Sequence, residues 1–271
     1  MTLRAGLIES PCYTRAAAAG NPRRRRLGFR PLRSGGTIRR VYADDRHALV
    51  GLVIPALDEE AAIGAVVRAV PPGLVADLIV VDNGSTDGTA GVARAAGARV
   101  VVEPRRGYGA ACWAGVRVLG PAVEIAAFLD GDGSQDPAEL PRLLEPLTAG
   151  CADLVLGVRR FDVGTDHPRH AVLGTRAVAA VLRWRFGVTV RDLGPFRAIW
   201  RQALLGLDLR DRSYGWPVEM VVKAARQGLR IVEVDVTQRP RRGGRSKVAG
   251  TWRGSLRAGW RFLQVALREG R

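Results

Sequence analysis

Two aspartates separated by one glycine form the sharpest chemical feature of the sequence. Asp130-Gly131-Asp132 follows the apolar run from Ile125 to Leu129, which is typical of a buried strand. Two carboxylates this close together can bind a hard divalent cation and leave coordination positions for water and a diphosphate. Such an ion stabilises negative charge on a departing group. The alternative interpretation is an acidic turn in which Ser134 or Asp136 caps the next helix.

Acidic residues also follow two earlier strand-like runs. Asp58 and Glu59 come after the apolar run that begins at Leu49, and Asp82 directly follows the second run. In open parallel sheets, ligands bind beyond the carboxyl ends of the strands, so we expect these carboxylates at one rim. Asp82 can accept a hydrogen bond from a base N–H or a ribose hydroxyl. Uracil and guanine both offer an imino N–H, so Asp82 does not indicate which of the two bases the donor carries.

A basic, glycine-rich stretch precedes a helix-like run. It extends from Arg105 to Ala111 and contains Gly107 and Gly109. Backbone N–H groups in such a segment can approach a diphosphate. The alternative is a plain strand-to-helix turn with two solvated arginines.

The elements that would position these residues alternate regularly from residue 47 to residue 238. Apolar strand-like runs lie at 49–54, 78–81, 99–102, 125–129 and 154–157, and shorter ones at 196–200 and 229–236. Helix-like runs lie between them at 61–70, up to 96, up to 119, and at 137–148, 171–186 and 217–227. This alternation predicts an α/β domain with a mostly parallel sheet covered by helices on both faces.

Positive charge is concentrated at the two ends of the chain. The formal net charge is +16, and residues 1–46 hold 11 Arg against 3 acidic residues, a net +8. Residues 239–271 hold 10 Arg or Lys against 1 acidic residue, a net +9, whereas residues 47–238 hold 21 basic and 22 acidic residues, a net −1. We expect a disordered basic arm at 1–46, the folded domain at 47–238, and a basic loop and helix at 239–271.

Basic ends are typical of proteins that meet a polyanion such as an anionic membrane surface. A non-enzymatic polyanion-binding protein is therefore an alternative. The near-neutral body and the lack of an aromatic and basic stripe argue against a nucleic-acid partner. The last predicted helix, 251–268, carries Trp252, Trp260 and three leucines at helical spacing, flanked by arginines. Such an amphipathic helix can lie in a membrane surface or pack on the domain.

No run of about 18 apolar residues predicts a transmembrane helix. Residues 1–20 lack the apolar core and the cleavage site of a signal peptide. We therefore expect a cytoplasmic protein, either soluble or peripheral on the inner face of the cell membrane.

Seven short motifs, in the order PALDEE, VVDNGSTDGT, RRGYGAA, FLDGDGSQDP, DLGPFRAI, YGWPVEM and GRSK, resemble the family 2 glycosyltransferases. They cover residues 49–250 and are most similar to the branch that transfers sugars to polyprenyl phosphates, such as dolichyl-phosphate mannose and glucose synthases. The resemblance implies a GT-A fold and a metal-dependent, inverting hexosyltransferase. Its donor would be a UDP- or GDP-linked sugar of glucose or mannose type, its cofactor Mg²⁺ or Mn²⁺, and its acceptor a lipid phosphate.

The same resemblance implies roles for individual residues. The nucleotide pocket would be lined by Pro55, Asp58, Glu59 and Asp82, with Arg105, Gly107 and Gly109 near the donor. Asp130 would lie near the ribose and the metal, Asp132 would bind the metal directly, and Gln135 would be a further metal ligand. The donor diphosphate and the acceptor phosphate would be held by Arg239, Arg242, Arg245, Ser246 and Lys247.

The implied reaction is direct displacement at the anomeric carbon. A lipid phosphate is already anionic, but a hydroxyl acceptor needs a carboxylate base within hydrogen-bond reach. Asp192 and Glu219 are the candidates on the acceptor side. A glycosyltransferase that acts on a soluble acceptor remains an alternative. A nucleotidyltransferase on the same fold is disfavoured, because PALDEE stands where its glycine-rich triphosphate loop would be.

Overall fold

Seven strands form one twisted sheet in the computed structural model, which describes residues 48–161 and 179–242. The strands are β1 Val50–Ala56, β2 Asp77–Asp82, β3 Arg99–Val102, β4 Ile125–Phe128, β5 Leu154–Phe161, β6 Arg197–Trp200 and β7 Ile231–Gln238. Their order is β3-β2-β1-β4-β6-β5-β7. The strand β6 runs antiparallel to both of its neighbours, and every other pairing is parallel.

Helices connect the strands and cover the sheet. They are α1 Glu60–Arg68, α2 Thr89–Ala95, α3 Tyr108–Val118, α4 Leu140–Thr148, α5 at 179–186, α6 Arg201–Gly206 and α7 Trp216–Arg226. A short 3-10 turn, Pro137–Glu139, leads into α4. Within the two described ranges no helix is both long and apolar enough to cross a membrane.

The core lies on both faces of the central strands. All four residues of β4 are buried, and β1 is buried except at Pro55, because side chains of a parallel sheet under helices have no solvent face. The helix α3 packs very close to the sheet. A Cβ on Gly115 would lie 2.3 Å from Cγ1 of Val53, so only glycine permits this approach.

The parallel pairing sets which residues reach the carboxyl rim of the sheet. Ala56 at the end of β1 pairs with Asp82 at the end of β2, and Asp82 pairs with Val102 at the end of β3. Beside them, Phe128 of β4 pairs with Val53 of β1. The segments that follow β1, β2 and β4 therefore leave the sheet along the same edge.

The predicted α/β architecture with a mostly parallel sheet is confirmed. Several details differ. The strand β5 continues past Gly157 to Phe161, because β7 pairs with it over all eight residues. The helix α6 was not expected. The predicted arm at 1–46, residues 171–178 of one predicted helix, and the predicted last helix at 251–268 lie outside the described residues.

Candidate active site

The loop after β4 carries the two aspartates that the sequence singled out. Asp132 is buried, with 6% of its surface exposed. One carboxylate oxygen, Oδ1, accepts a hydrogen bond from the backbone N–H of Ser134 at 2.9 Å. Gly133, between them, has a φ of 72°, a conformation that favours glycine. The turn therefore fixes the Asp132 carboxylate with its second oxygen, Oδ2, turned to other partners.

That second oxygen contacts a residue that the sequence analysis missed. Arg241 donates through Nη1 to Oδ2 of Asp132 at 2.6 Å and through Nη2 to Oε1 of Glu59 at 2.6 Å. One guanidinium thus joins the acidic segments after β1 and β4. The only available signal was the arginine-rich run 239–245, in which nothing distinguished Arg241 from Arg239 or Arg242.

Backbone pairing holds Arg241 at this position. Gln238, the last residue of β7, forms an antiparallel bridge with Gln135. The N–H of Arg239 donates to the carbonyl of Ser134 at 2.7 Å, and the N–H of Arg242 donates to the carbonyl of Asp132 at 3.1 Å. Residues 238–242, which we call the basic ribbon, therefore lie along residues 130–135, which we call the aspartate loop.

Asp130 lies in an environment that opposes its charge. Burial raises its pKa to about 7, and the negative charge of Asp132 acts in the same direction. The positive charges of Arg241 and Arg159 act against this shift. An acid with a pKa near neutrality is partly protonated, and a bound cation would favour its ionised form.

The donor set fits a divalent metal ion completed by a ligand. In the described ranges no three His, Cys, Asp or Glu side chains converge to hold a metal. The aspartate loop offers two carboxylates and the amide of Gln135. Gln135 is 2% exposed, and neither Oε1 nor Nε2 of its amide has a hydrogen-bond partner. A buried amide without partners is costly, so this position suits a bound ion or its ligand.

The loops after β1 and β2 are fastened to each other. Asp58, with a φ of 48°, accepts a hydrogen bond at Oδ1 from the N–H of Thr86 at 2.7 Å. Its own N–H donates to Oγ of Ser85 at 2.9 Å, and Ser85 in turn donates its N–H to Oδ1 of Asp82. Pro55, at the end of β1, is partly exposed beside them. Through Ser85 the structure thus brings together Asp58 and Asp82, two of the four residues expected to line the nucleotide pocket.

Asn83 organises the glycine-rich stretch and was not among the predicted site residues. Its amide nitrogen donates to the carbonyls of Glu103 and Arg105 at 2.9 Å and 2.8 Å. Its oxygen accepts the N–H of Gly107 at 2.7 Å. The side chain of Arg105 is exposed, and its proposed contact with the donor stays a prediction.

The backbone N–H groups of this stretch are used within the protein. The N–H of Gly109 donates to the carbonyl of Ser213, and the N–H of Ala110 donates to the carbonyl of Arg212. Together with the Gly107 bond to Asn83, these contacts correct the expectation that these amides face a diphosphate. The glycines serve packing instead, since a Cβ on Gly107 would lie 2.1 Å from the carbonyl oxygen of Arg212.

Asp192 is held by Arg159. Its two oxygens accept bonds from Nε and Nη2 of Arg159, both at 2.7 Å. Burial alone would raise the pKa of Asp192, but the hydrogen bonds and charge of Arg159 outweigh it and lower the pKa. This carboxylate is ionised but already paired, and its catalytic role stays a prediction.

Glu219 is fully buried at the start of α7. It accepts hydrogen bonds from the backbone N–H groups of Arg210 and Asp211 and pairs with Nζ of Lys223 at 2.9 Å. This geometry anchors the segment before α7 and is not that of an exposed base. The catalytic role predicted for Glu219 therefore has no support from its surroundings.

The structure describes two of the five residues that were predicted to bind the phosphates. Arg239 is exposed and pairs with Asp136 at 3.0 Å, and Arg242 is exposed one position beyond Arg241. Arg245, Ser246 and Lys247 lie outside the described residues. The two arginines that are placed lie on the basic ribbon, beside the aspartate loop.

Known proteins share this architecture. The model of the family described as glycosyl transferase family 2 matches residues 52–206. An uncharacterised glycosyltransferase of Mycobacterium tuberculosis is 48% identical over 216 residues, which are 80% of this chain and 97% of that protein. The undecaprenyl-phosphate mannosyltransferase of Micrococcus luteus is 34% identical over 216 residues, covering 70% of this chain and 87% of that protein.

Solved structures are similar as well. The glucosyl-3-phosphoglycerate synthase of Mycobacterium tuberculosis, in complex with Mn²⁺, UDP-glucose and phosphoglyceric acid, matches with a TM-score of 0.69 and 29% identity. The match covers 88% of this chain and 85% of that one. The same enzyme has also been solved with Mg²⁺ and UDP. The predicted pair of cofactors, Mg²⁺ or Mn²⁺, is thus the pair found in these relatives.

Proposed function

Because the chain belongs to glycosyl transferase family 2, we propose that it transfers a hexose, with inversion, from a nucleotide-diphosphate sugar to a polyprenyl phosphate at a membrane surface. The family membership and the GT-A fold expected from the seven motifs are confirmed. The donor base, the sugar, the metal dependence and the lipid acceptor belong to the proposal. A peripheral position on the inner face of the membrane is part of the same proposal.

The observation that carries the proposal is the pairing of opposite charges at the carboxyl rim. The aspartate loop and Glu59 supply buried carboxylates, and the basic ribbon places arginines against them. A metal-bound diphosphate needs both, because the cation requires anionic oxygens and the phosphates require positive charge. When bound, the cation supplies stabilisation of the charge that develops on the departing diphosphate.

The protein's own side chains then bind the nucleotide and position the donor for transfer. In this proposal Asp82, at the end of β2, accepts hydrogen bonds from the base or the ribose, and Asp130 and Asp132 would hold the metal. An oxygen of the acceptor phosphate attacks the anomeric carbon while the bond from that carbon to the diphosphate oxygen breaks. The phosphate is ionised near neutral pH, so no general base is required, which agrees with the paired states of Asp192 and Glu219.

A soluble phosphorylated acceptor is the second candidate. It is supported by the similar structure that holds phosphoglyceric acid beside UDP-glucose. The mannosyltransferase of Micrococcus luteus supports the lipid acceptor instead. Both acceptors carry an anionic phosphate, but a soluble acceptor that reacts through a hydroxyl would also need a carboxylate base. Transfer of radiolabelled sugar to undecaprenyl phosphate or to 3-phosphoglycerate, compared at equal concentration, separates the two.

The donor is tested by thermal unfolding with UDP, GDP and their glucose and mannose conjugates, each with and without Mn²⁺. A ligand that binds only the folded state raises the melting temperature. We expect a Mn²⁺-dependent rise with one nucleotide and its loss in Asp132→Asn. If no nucleotide produces a rise, the proposal fails and a polyanion-binding protein becomes the better interpretation. A rise that survives in Asp132→Asn would remove Asp132 from the metal site.

A further inference from the structure

The guanidinium of Arg241 stands between the carboxylates that the proposed function assigns to the metal and to the nucleotide. We propose that Arg241 is an internal counter-ion that competes with the divalent cation for Asp132 and must leave before the cation binds. The inference rests on the proposed function, because it takes the aspartate loop as the metal site. It adds a residue that controls access to that site.

Charge balance explains why a cation is needed there. Glu59 and Asp132 are both buried, at 9% and 6% exposed, and Asp130 lies in the same loop. Carboxylates gathered out of water without a counter-charge are strongly disfavoured. Arg241 meets two of them at 2.6 Å each. A divalent cation would satisfy the same requirement, so the two cations are alternatives.

The hydrogen bonds of Asp132 show why the two cations exclude each other. Oδ1 accepts the N–H of Ser134, which is fixed two residues away in the same turn, and Oδ2 accepts Arg241. Each oxygen keeps a second lone pair, but the guanidinium 2.6 Å from Oδ2 places a positive charge and its own bulk beside the carboxylate, so a metal on the same carboxylate meets repulsion and crowding. The Arg241 side chain is long, keeps 25% of its surface exposed, and is the partner that can rotate away.

The basic ribbon keeps the displaced side chain near the site. The bonds from Arg239 to Ser134 and from Arg242 to Asp132 join backbone atoms, so the Arg241 side chain can leave without breaking them. Nε of Arg241 and the amide of Gln135 are buried without partners. A diphosphate that arrives with the metal would offer anionic oxygens to the released guanidinium.

Direct binding of Mn²⁺ alone to the full chain tests the inference. Arg241→Gln is expected to bind Mn²⁺ on the order of tenfold more tightly than the wild type, since a partly buried ion pair no longer has to be broken. Arg242→Gln is the matched control, because it removes the same charge from the next residue. We expect it to change the affinity at most about threefold, as for an exposed charge. Electron paramagnetic resonance of free Mn²⁺ gives the dissociation constants.

Thermal unfolding in EDTA supplies a second readout. Without metal, the melting temperature of Arg241→Gln is expected to lie below that of the wild type, because its carboxylates have lost their counter-ion. Saturating Mn²⁺ is expected to raise the melting temperature of Arg241→Gln by more than that of the wild type. Arg241→Lys keeps the charge without the two-pronged contact and is expected to bind Mn²⁺ with intermediate affinity. It serves in place of Arg241→Gln if that variant does not fold.

Each other outcome overturns the inference. Equal or weaker Mn²⁺ binding in Arg241→Gln and Arg241→Lys removes the competition. An equal gain in Arg242→Gln means that net charge alone is responsible. If Asp132→Asn abolishes Mn²⁺ binding while Arg241→Gln behaves as the wild type, the metal site stands and only the counter-ion role fails. If no form binds Mn²⁺, the metal site and the inference fail together.

Discussion

At the scale of single residues, Asp130 has the most informative charge state. Its pKa is raised to about 7 by burial and then by the neighbouring Asp132, and a free aspartate titrates near 3.8. Below pH 4 both the folded and the unfolded protein carry the proton. Between pH 4 and pH 7 the folded protein keeps it and the unfolded chain releases it. Folding therefore becomes less favourable as pH rises through this window.

This shift predicts the pH dependence of stability without metal. In EDTA, the free energy of unfolding of the wild type is expected to fall between pH 5 and pH 7, relative to Asp130→Asn, by roughly 1 kcal/mol per pH unit. Asparagine does not titrate, so the variant lacks this contribution while the other carboxylates remain. Urea unfolding at four pH values measures the difference. Parallel curves for the two proteins would show that Asp130 titrates normally in the fold.

The sequence predicted the site residues that stand close together in the chain. It did not predict contacts between residues that are far apart in the chain. Asp130 and Asp132 stand together after a strand, and that pattern was sufficient to predict an acidic loop. Arg241 lies 109 positions from Asp132 and 182 from Glu59. Hydrophobic periodicity places strands, but it does not determine which of several neighbouring arginines points inward.

At the scale of elements, the start of α3 depends on Gly107 and Gly109. A Cβ on Gly109 would lie 2.4 Å from the carbonyl oxygen of Asp211 and 2.8 Å from Cβ of Trp216. The segment before α7 lies directly against the start of α3, where the N–H of Gly109 donates to the carbonyl of Ser213. Gly109 is therefore required for backbone packing rather than for phosphate binding, although it belongs to one of the seven motifs.

Gly109→Ala is therefore expected to destabilise the protein by about 1 to 3 kcal/mol, the usual cost of an added carbon in a packed interior. Gly91→Ala is the matched control, because Gly91 also lies in a helix, α2, and its added Cβ would meet nothing within 4 Å. That control should gain about 0.5 to 1 kcal/mol from helix propensity. Urea unfolding of both variants decides the matter, and equal effects would contradict the packing argument.

The end of β5 shows two consecutive arginines in different surroundings. Arg159 pairs with buried Asp192 and keeps 24% of its side chain exposed, whereas Arg160 pairs with Asp235 at the surface and keeps 66% exposed. Successive side chains of a strand point to opposite faces, which places only one of them inside. The predicted strand ends at Gly157, yet the backbone continues to pair with β7 as far as Phe161.

This contrast predicts different costs for the same substitution. Arg159→Gln is expected to lose about 2 to 3 kcal/mol of unfolding free energy, because Asp192 stays buried without its partner. Arg160→Gln should lose less than about 1 kcal/mol, as is usual for exposed ion pairs. Chemical denaturation of the two variants provides the comparison. A loss in Arg160→Gln as large as in Arg159→Gln would mean that burial does not distinguish the two pairs.

The order of the strands in the sheet could not be predicted from the sequence, for a related reason. Strand β6 lies between β4 and β5, runs antiparallel to both, and separates strands that are adjacent along the chain. Its four residues read only as a short apolar run. Alternating strands and helices predict the class of fold, but pairing partners depend on contacts between distant segments.

At the scale of the whole molecule, the charge of the chain is separated along its length. Residues 47–238 are close to neutral at −1, whereas residues 239–271 alone carry +9. The basic ribbon overlaps the start of that positive segment and lies at the proposed active site. The rest of the segment, with Trp252, Trp260 and the arginines between them, continues from the same place in the chain. A lipid acceptor would bring its phosphate to the rim and its membrane to this segment.

Binding to vesicles tests this arrangement. The full chain is expected to bind vesicles that contain anionic phospholipid and to bind neutral vesicles at least tenfold more weakly, because charge attraction adds to insertion of the apolar stripe. A chain ending at residue 250 should lose most of this binding while keeping Arg241 and the nucleotide site. Replacement of Arg253, Arg257 and Arg261 by Gln in the full chain separates charge from apolar insertion. Flotation measures all four cases. If the shortened chain binds as well as the full one, the last segment is no membrane anchor, and a soluble phosphorylated acceptor becomes the stronger candidate.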